Sequence, residues 1–332
     1  MAQRDNRVLA PYEEPSMLGN MTGVFSEPDD YAVALRAEGC LGLVVTGRGQ
    51  FRAQLTRVGL HRLRLSATEE RLSRIAFFAV PTDIVLLTLP REGLPLPICG
   101  GIAARPGEIM TLGPGEQLHS RTVGSSKTGA IWLPIEKLVR YSGALTGRPF
   151  TISPAVQRWR PQRKTLKELQ HLFAAAIRMT LIRPQDLIDA EAAHGLEQQL
   201  IHVIVECLAA GTSDTPTRPG RRRQDLMSRF ERLLHAQPER GIPISEICAT
   251  LGVSERLLRG LCSEHLGMGP MAYDRRRRML LVRQALLRKA DETTVAAVAA
   301  HYGFHSPGRF AVNYREAFGE LPSKSLQRGN HR

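Results

Sequence analysis

The last hundred residues of this 332-residue chain contain one segment twice. Apolar, glycine and proline positions of residues 244–270 recur in residues 295–322, displaced by 51 positions before an internal turn and by 52 after it. The matched pairs are Ile244 and Val295, Ile247 and Val298, Gly252 and Gly303, Leu258 and Phe310, Cys262 and Tyr314, Leu266 and Phe318, Gly267 and Gly319, and Pro270 and Pro322. Such self-similarity indicates that one supersecondary unit is used two times.

Each repeat has the pattern of a helix, a short turn with glycine and a second helix. We call residues 244–266 unit 1 and residues 295–318 unit 2. In unit 1, Gly252 suits the left-handed position that ends a helix, and Ser254 is an expected N-cap. In unit 2, Ser306 is the expected N-cap and Pro307 occupies the first helical position, where a missing N–H costs nothing. The pattern predicts two helix-turn-helix motifs.

The segment between the units, Met271–Lys289, predicts one helix. Its 19 residues span about 28 Å at ~1.5 Å per residue. That length is comparable to the ~34 Å turn of a DNA duplex. The chain could therefore place two recognition helices in adjacent major grooves.

The second helix of each unit leaves polar residues on its exposed side. Arginine forks bind guanine, so Arg256, Arg259 and Arg309 are the expected base contacts, with Asn313 a candidate adenine reader. Gly260 in the exposed row of unit 1 predicts that this unit contacts phosphates more than bases. The complete set of candidate DNA-binding residues is Ser254, Glu255, Arg256, Arg259, Ser263, Arg275, Arg276, Arg277, Arg278, Ser306, Arg309, Val312, Asn313 and Arg315.

The charge supports a polyanionic partner, nucleic acid or an anionic membrane. The formal net charge is +13, and residues 213–332 hold 21 Lys and Arg against 12 Asp and Glu, whereas residues 1–212 hold 24 against 20. The surplus therefore belongs mainly to the segment with the repeat, where Arg275–Arg278 are expected to reach phosphates on either side of the connecting helix.

The segment Ala299–Pro322 resembles the signature of the AraC/XylS transcription regulators. The matching residues are Ala299, Gly303, Phe304, Ser306, Phe310, Tyr314, Arg315, Phe318, Gly319 and Pro322. Asp274, Gly260 and Leu321 depart from the usual pattern. The resemblance implies binding to double-stranded DNA, contact with RNA polymerase and activation of transcription, although the residues alone leave the choice of activator or repressor open.

The N-terminal part predicts strands, because short apolar runs alternate with turn residues and no helix separates them. The expected strands are Leu41–Thr46, Phe51–Thr56, Val58–Leu65, Ile75–Val80, Ile84–Leu89, Ile98–Ala103, Glu108–Leu112 and Ala130–Leu133. We predict a small antiparallel barrel, and its Pro106–Glu108 turn resembles the family's cupin-like effector domain. The fold class is α+β, with a helical hairpin beside the barrel and an all-α C-terminal domain.

Helical periodicity begins at Ile135. Expected helices are Ile135–Leu145, Thr165–Leu181 and one from Pro184 to about Ala210. The last carries a stripe of apolar residues, which either joins two subunits in a homodimer or packs on the barrel or the preceding helix. Its members are Ala193, Leu196, Leu200, Val203, Cys207 and Ala210.

These patterns divide the chain into four parts. Residues 1–147 form a cupin-like effector domain, 148–210 a helical region for dimerisation or packing, 211–223 a linker, and 224–332 the DNA-binding domain. The linker is inferred from its Gly, Ser, Thr and Pro content.

The leading hypothesis is a DNA-binding transcription regulator whose barrel binds a small organic effector. One alternative is a cupin-type metal enzyme tethered to DNA, but His61 and His119 are too few and too far apart for the usual ligand set, so no cofactor is expected. Another is an architectural DNA-binding protein without an effector. Arg52, Arg62 and Arg64 could pair with an acidic effector, but strand alternation favours the exterior for them.

Cysteine usage and hydropathy point to the cytoplasm. The five cysteines form no C-x-x-C pair and are expected to be small buried residues rather than disulfide partners. The first residues have no apolar stretch typical of a signal peptide, and no segment is apolar enough to span a membrane.

Overall fold

The computed structural model describes residues 21–91, 93–147, 149–182, 190–214, 218–288 and 294–330. The strands are β1 (Met21–Phe25), β2 (Cys40–Val45), β3 (Ala53–Leu60), β4 (Leu63–Glu70), β5 (Arg74–Ala79), β6 (Ile84–Pro90), β7 (Ile98–Cys99), β8 (Ile109–Leu112), β9 (Gln117–Arg121), β10 (Ser126–Pro134), β11 (Gln157–Arg160) and β12 (Thr212–Asp214). The helices are α1 (Pro28–Leu35), α2 (Ile135–Thr146), α3 (Arg163–Ile182), α4 (Ala190–Ala209), α5 (Arg218–Ala236), α6 (Ile244–Leu251), α7 (Glu255–Leu266), α8 (Pro270–Leu287), α9 (Val295–His301), α10 (Pro307–Phe318) and α11 (Pro322–Asn330).

The strands form two antiparallel sheets. The larger has the order β1-β3-β4-β10-β6-β8-β11-β12 and the smaller β2-β5-β9-β7. Alternation along β10 shows why both faces of the large sheet are apolar: Trp132 lies in the core between the sheets, while Ile131 and Leu133 lie in a second core on the other side. The α+β class is confirmed, but among the described strands the sheets form two layers rather than one closed barrel.

Several expected strands are shifted or shortened. Strand β3 begins at Ala53 and continues to Leu60, so the turn to β4 falls at His61-Arg62 and not at the expected position before Val58. Of the run Ile98–Ala103, only Ile98 and Cys99 form a strand, and the next two residues, Gly100 and Gly101, both have positive φ. Strands β1, β9, β11 and β12, and helix α1, were not predicted from the sequence.

A layer of three helices covers the outer face of the large sheet. Helices α2 and α3 and the apolar stripe of α4 pack there, and Leu200, Val203 and Cys207 are buried within the chain. The stripe therefore packs on its own sheet, which is the second of the two alternatives, and is not available to join subunits. The expected helix start at Pro184 lies outside the described residues.

The expected linker at residues 211–223 is wrong at both ends. Thr212–Asp214 forms strand β12 against β11, and α5 begins at Arg218, so Arg221 and the basic residues after it belong to a helix. Arg158 on β11 makes an ion pair with Asp214 that helps to hold β12.

The C-terminal domain packs on the outer face of the small sheet. Val44 of β2 and Ile75 of β5 share one apolar cluster with Phe230 of α5 and with Leu258 and Leu261 of α7. The molecule thus has four layers: α2–α4, the large sheet, the small sheet and the domain that contains unit 1.

Glu231 of α5 is the centre of a buried polar cluster at this contact. His119 of β9 donates from Nε2 to Glu231 at 3.0 Å, His235 lies at 3.2 Å, and Arg277 of α8 lies at 3.5 Å. Burial raises the pKa of Glu231, but the hydrogen bonds from both histidines and the charge of Arg277 outweigh it, so the pKa lies well below its ordinary value.

A second polar contact joins the two domains near unit 2. Arg283 of α8 is almost completely buried and pairs with Glu27 and Asp29, which lie at the start of α1. Gln284 donates to Asp29 at 3.1 Å, and Arg328 of α11 binds Glu27 at 3.0 Å. The C-terminal end of α8 is therefore attached directly to the N-terminal domain.

Candidate nucleic-acid interface

Unit 1 is a helix-turn-helix with the expected ends. Gly252 ends α6 in the left-handed conformation with a φ of 69°, and Ser254 caps α7 by accepting a hydrogen bond from the backbone N–H of Leu257 at 3.3 Å. Leu258 and Cys262 are buried, so α7 turns its other side to solvent.

Unit 2 has the same arrangement with one difference at its cap. Phe310 and Tyr314 are buried, as expected, and Gly303 has a φ of 78°. The Ser306 side chain makes no cap hydrogen bond; its Oγ accepts instead from Nε of Arg309 at 3.2 Å. The expectation that Ser306 caps α10 through its side chain is therefore wrong.

Most candidate DNA-binding residues lie at the surface. Ser306, Asn313 and Arg276 are half-buried. Arg259 is held by its neighbour Glu255, whose Oε1 accepts from Nε at 2.7 Å, so it is committed to an exposed ion pair in the free protein. The exposed candidates are Ser254, Glu255, Arg256, Arg259, Ser263, Arg275, Arg309, Val312 and Arg315.

The connecting helix is continuous. Helix α8 runs from Pro270 to Leu287, or about 27 Å at ~1.5 Å per residue. This confirms the single helix that the sequence predicts between the units, except that Lys289 lies outside the described residues.

Two of the four consecutive arginines do not reach solvent. Arg277 donates to the carbonyl of Leu234 at 2.9 Å, and Arg278 donates to Asp274 at 2.9 Å and to the carbonyl of Tyr302 at 2.8 Å. The expectation that both bind phosphates is wrong, because a buried guanidinium needs its internal partners. Arg275 is the exposed member of the run, while Arg276 is half-buried, with Nη1 3.5 Å from the carbonyl of Thr46.

The contacts of Asp274 account for an acidic residue at this position, where it departs from the family pattern. Its carboxylate is buried one helical turn before Arg278, and burial raises its pKa despite the neighbouring arginine charge. Arg278 also stacks on the ring of Phe304 at 5.1 Å, so this pair ties α8 to the turn of unit 2.

A cavity of about 70 Å³ lies between the two sheets of the N-terminal domain. Its walls are mostly apolar, including Phe78 and Trp132, and Arg74 and Glu38 supply charge. Arg64 is buried beside it, with its guanidinium 4.5 Å from the centre of the Trp132 ring, so the predicted exterior position of Arg64 is wrong. Arg52 and Arg62 are exterior, as predicted.

The two histidines of the metal hypothesis lie in different places. His61 is exposed at the β3–β4 turn, where its ring is 5.9 Å from that of His194 on α4. His119 is buried on the small sheet and binds Glu231. They do not converge on one site.

Sequence reasoning missed Leu257, the most exposed leucine side chain of α7. It is 43% exposed, and the 52-residue displacement aligns it with Arg309. The alignment of the repeats was the signal that could have drawn attention to it.

The C-terminal domain matches proteins of known family. Residues 247–328 match a family model described as a helix-turn-helix domain. The chain is 38% identical over 103 residues to the XylDLEGF operon transcriptional activator 1 of Pseudomonas putida, covering 30% of this chain and 31% of the relative. A probable AraC family transcriptional regulator from Rhodopseudomonas palustris, known from a crystal structure, is 35% identical to this chain. The match covers 32% of this chain and 97% of that one, with a TM-score of 0.30. The C-terminal domain is therefore an AraC/XylS-type DNA-binding domain.

The curated relatives match this chain over less than a third of its length. The matched region spans about a third of the length of the Pseudomonas putida activator 1. The probable thc operon regulatory protein of Rhodococcus erythropolis is 34% identical over 28% of this chain and 29% of its own. The AraC-like transcriptional activator CuxR is 18% identical over 79% of this chain and 94% of its own, with a TM-score of 0.43. Within the described residues, no helix combines the length and hydropathy required to cross a bilayer.

Proposed function

We propose that this protein is a sequence-specific DNA-binding transcription activator controlled by a small organic effector. The observation that carries the proposal is the pair of helix-turn-helix units, each with an exposed second helix, joined by the continuous helix α8. The Pseudomonas putida relative is an operon transcriptional activator, which supports activation as the direction of regulation.

In this proposal the two recognition helices have different exposed residues. Helix α10 offers Arg309 for a guanine and Arg315 for the backbone, while Arg256 is the arginine of α7 that the Glu255 ion pair does not occupy. Arg275 lies at the start of α8, where an exposed cation can contact a phosphate.

The effector belongs to the cavity between the sheets. Apolar walls with a few polar groups are typical of sites for small organic molecules. A volume of about 70 Å³ restricts the ligand to a very small molecule, and the hydroxyl side chains of its wall, such as Ser66 and Thr68, favour one with a polar group. The Arg74 guanidinium is already paired with Glu70 at 3.0 Å. Contact with RNA polymerase is part of the proposal through the family resemblance. A homodimer would need a surface other than the buried stripe of α4.

The enzyme alternative is less well supported. A cupin-type metal site needs several imidazole or carboxylate groups that converge, and His61 and His119 lie on different sides of the N-terminal domain. The matched relatives are transcription regulators, which also favours regulation over catalysis.

Selection of duplexes from a random pool by the purified full-length protein tests the proposal. We expect a defined sequence to be enriched. Arg309→Ala should cost about 1 to 3 kcal/mol on the selected duplex and little on random DNA, because it removes a base contact. Arg275→Ala should weaken both duplexes alike and reduce the slope of log K against log salt by about 1.

Competition binding with selected and random duplexes at several salt concentrations measures both effects. Equal losses on the two duplexes for both variants would contradict this division between base and phosphate contacts. Failure to enrich any sequence would contradict the proposed function itself.

A further inference from the structure

The solvent-exposed face of α7 includes an apolar side chain, Leu257. Leu257 is 43% exposed although Leu258 and Leu261 beside it are buried, and Gly260 follows it by three residues, on the same face of the helix. Single exposed leucines are ordinary on protein surfaces. This one lies where unit 2 has Arg309, within the helix that the proposed function places in the major groove.

Gly260 is not required by the fold. It lies in the interior of α7 with an ordinary helical backbone, and a Cβ atom added there would meet no heavy atom of the described chain within 4 Å beyond its chain neighbours and its own helix backbone. Glycine within a helix is unfavourable relative to alanine. The packing of the free protein therefore does not require glycine at this position. A bound molecule could come closer to the backbone of α7 because the side chain is missing.

Unit 2 places an apolar side chain at the equivalent position. The displacement of 52 aligns Gly260 with Val312, which is 53% exposed between Arg309 and Arg315. Both recognition helices thus expose one apolar side chain. In unit 2 it is Val312, whereas in unit 1 it is Leu257, and the position equivalent to Val312 is Gly260, which has no side chain.

The C5-methyl group of thymine is the apolar feature on the major-groove edge of the bases. A leucine side chain can contact it, and a glycine one turn later lets the groove approach the helix backbone. Arg256, which is exposed beside Leu257, supplies the positive charge that a duplex requires. On the basis of the proposed function, we propose that Leu257 and Gly260 pack against a thymine methyl group, so that unit 1 specifies a T·A pair rather than contacting phosphates alone.

Replacing single thymines by deoxyuridine tests this contact, because it removes only the methyl group. The full-length protein is measured on the selected duplex with each thymine replaced in turn. We expect one position at which affinity falls about three- to fivefold, the effect of one buried methyl group. In Leu257→Ala that sensitivity should disappear, while Val312→Ala should retain it.

Leu321→Ala is the matched control for the side chain. Leu321 is also 43% exposed but lies between α10 and α11, outside both recognition helices. It should keep the full response to deoxyuridine. Loss of the response in Leu321→Ala as well as in Leu257→Ala would contradict the assignment to Leu257.

Gly260→Ala tests the close approach, with Gly195→Ala of α4 as its control. Gly195 is likewise exposed within a helix, with open space at its Cβ position. Both variants should raise the folding equilibrium constant by about fourfold. Only Gly260→Ala should weaken binding to the selected duplex, by roughly fivefold or more, because the added methyl group overfills the contact.

The outcomes separate this proposal from the proposed function. If a sequence is selected but no deoxyuridine substitution changes affinity, or if Gly260→Ala binds as well as the parent protein, the thymine contact is wrong and sequence-specific binding still stands. If no sequence is selected, both are wrong.

Discussion

Glu231→Ala should lower the free energy of unfolding by about 3 to 5 kcal/mol, the usual cost of removing one partner of a buried ion pair. Glu231 accepts a hydrogen bond from His119 and lies next to His235 and Arg277. Without it, His119 and Arg277 remain buried with less compensation, at the contact between the small sheet and the C-terminal domain. Urea unfolding at pH 7, followed by far-UV circular dichroism, measures the change.

Two further variants define the cause of that loss. Glu231→Gln keeps the size of the side chain and one acceptor oxygen, so it should cost less than Glu231→Ala. Glu264→Ala removes the exposed ion pair with Arg223, 3.1 Å in length, and should cost no more than about 1 kcal/mol. A loss in Glu231→Ala as small as that in Glu264→Ala would show that the buried cluster does not hold the domains together.

Acidification from pH 7 to pH 4 should destabilise the protein through His265. This residue is buried in α7, and burial, with the charges of His119 and Arg223, lowers its pKa to about 4 from 6.5. Between these values the unfolded chain binds a proton that the folded chain does not, so stability falls as the pH falls. The contribution lost by pH 4 is about 3 kcal/mol.

Glu116 acts in the opposite direction over part of the same range. Burial raises its pKa to about 7 despite the nearby Arg221, so the folded chain takes up a proton between pH 7 and about 4.5 and gains stability there.

Urea midpoints should therefore be measured at several pH values for the parent protein, His265→Gln and Glu116→Gln. His265→Gln should flatten the decline towards acid, and Glu116→Gln should steepen it. A parallel decline in the parent and in His265→Gln would contradict the assignment to His265.

The repeat allowed the buried positions of the two helix-turn-helix units to be predicted. Leu258, Cys262, Phe310 and Tyr314 recur at matched positions because both copies must bury the same helix face, and the structure buries all four. The positions of the two units along the chain also delimit the segment between them, which was correctly predicted as one continuous helix, α8.

Burial of charge could not be predicted in the same way. Arg64, Arg277 and Arg283 are buried beside acidic groups that are distant in sequence, Glu38, Glu231 and the pair at the start of α1. A basic residue on a strand or helix is ordinarily exposed, and the sequence does not show which remote carboxylate will meet it. This is why the burial of Arg277 was not predicted, whereas Arg278 is buried beside Asp274, which is only four residues earlier.

Strand β9 was missed for a related reason. Its sequence, Gln117–Arg121, has one apolar residue, Leu118, and its other buried positions are His119 and Ser120. Alternation of apolar and polar residues therefore gave no signal, although both faces of the strand are covered.

The two faces of β9 also define how near the proposed effector is to the DNA-binding domain. Ser120 lines the cavity between the sheets, and the preceding residue, His119, points the other way and is bonded to Glu231 of α5. Adjacent residues in a strand are about 3.3 Å apart along the chain. A molecule in the cavity would thus be separated from helix α5 of the C-terminal domain by a single peptide unit of β9, so a shift of that strand would change both contacts together.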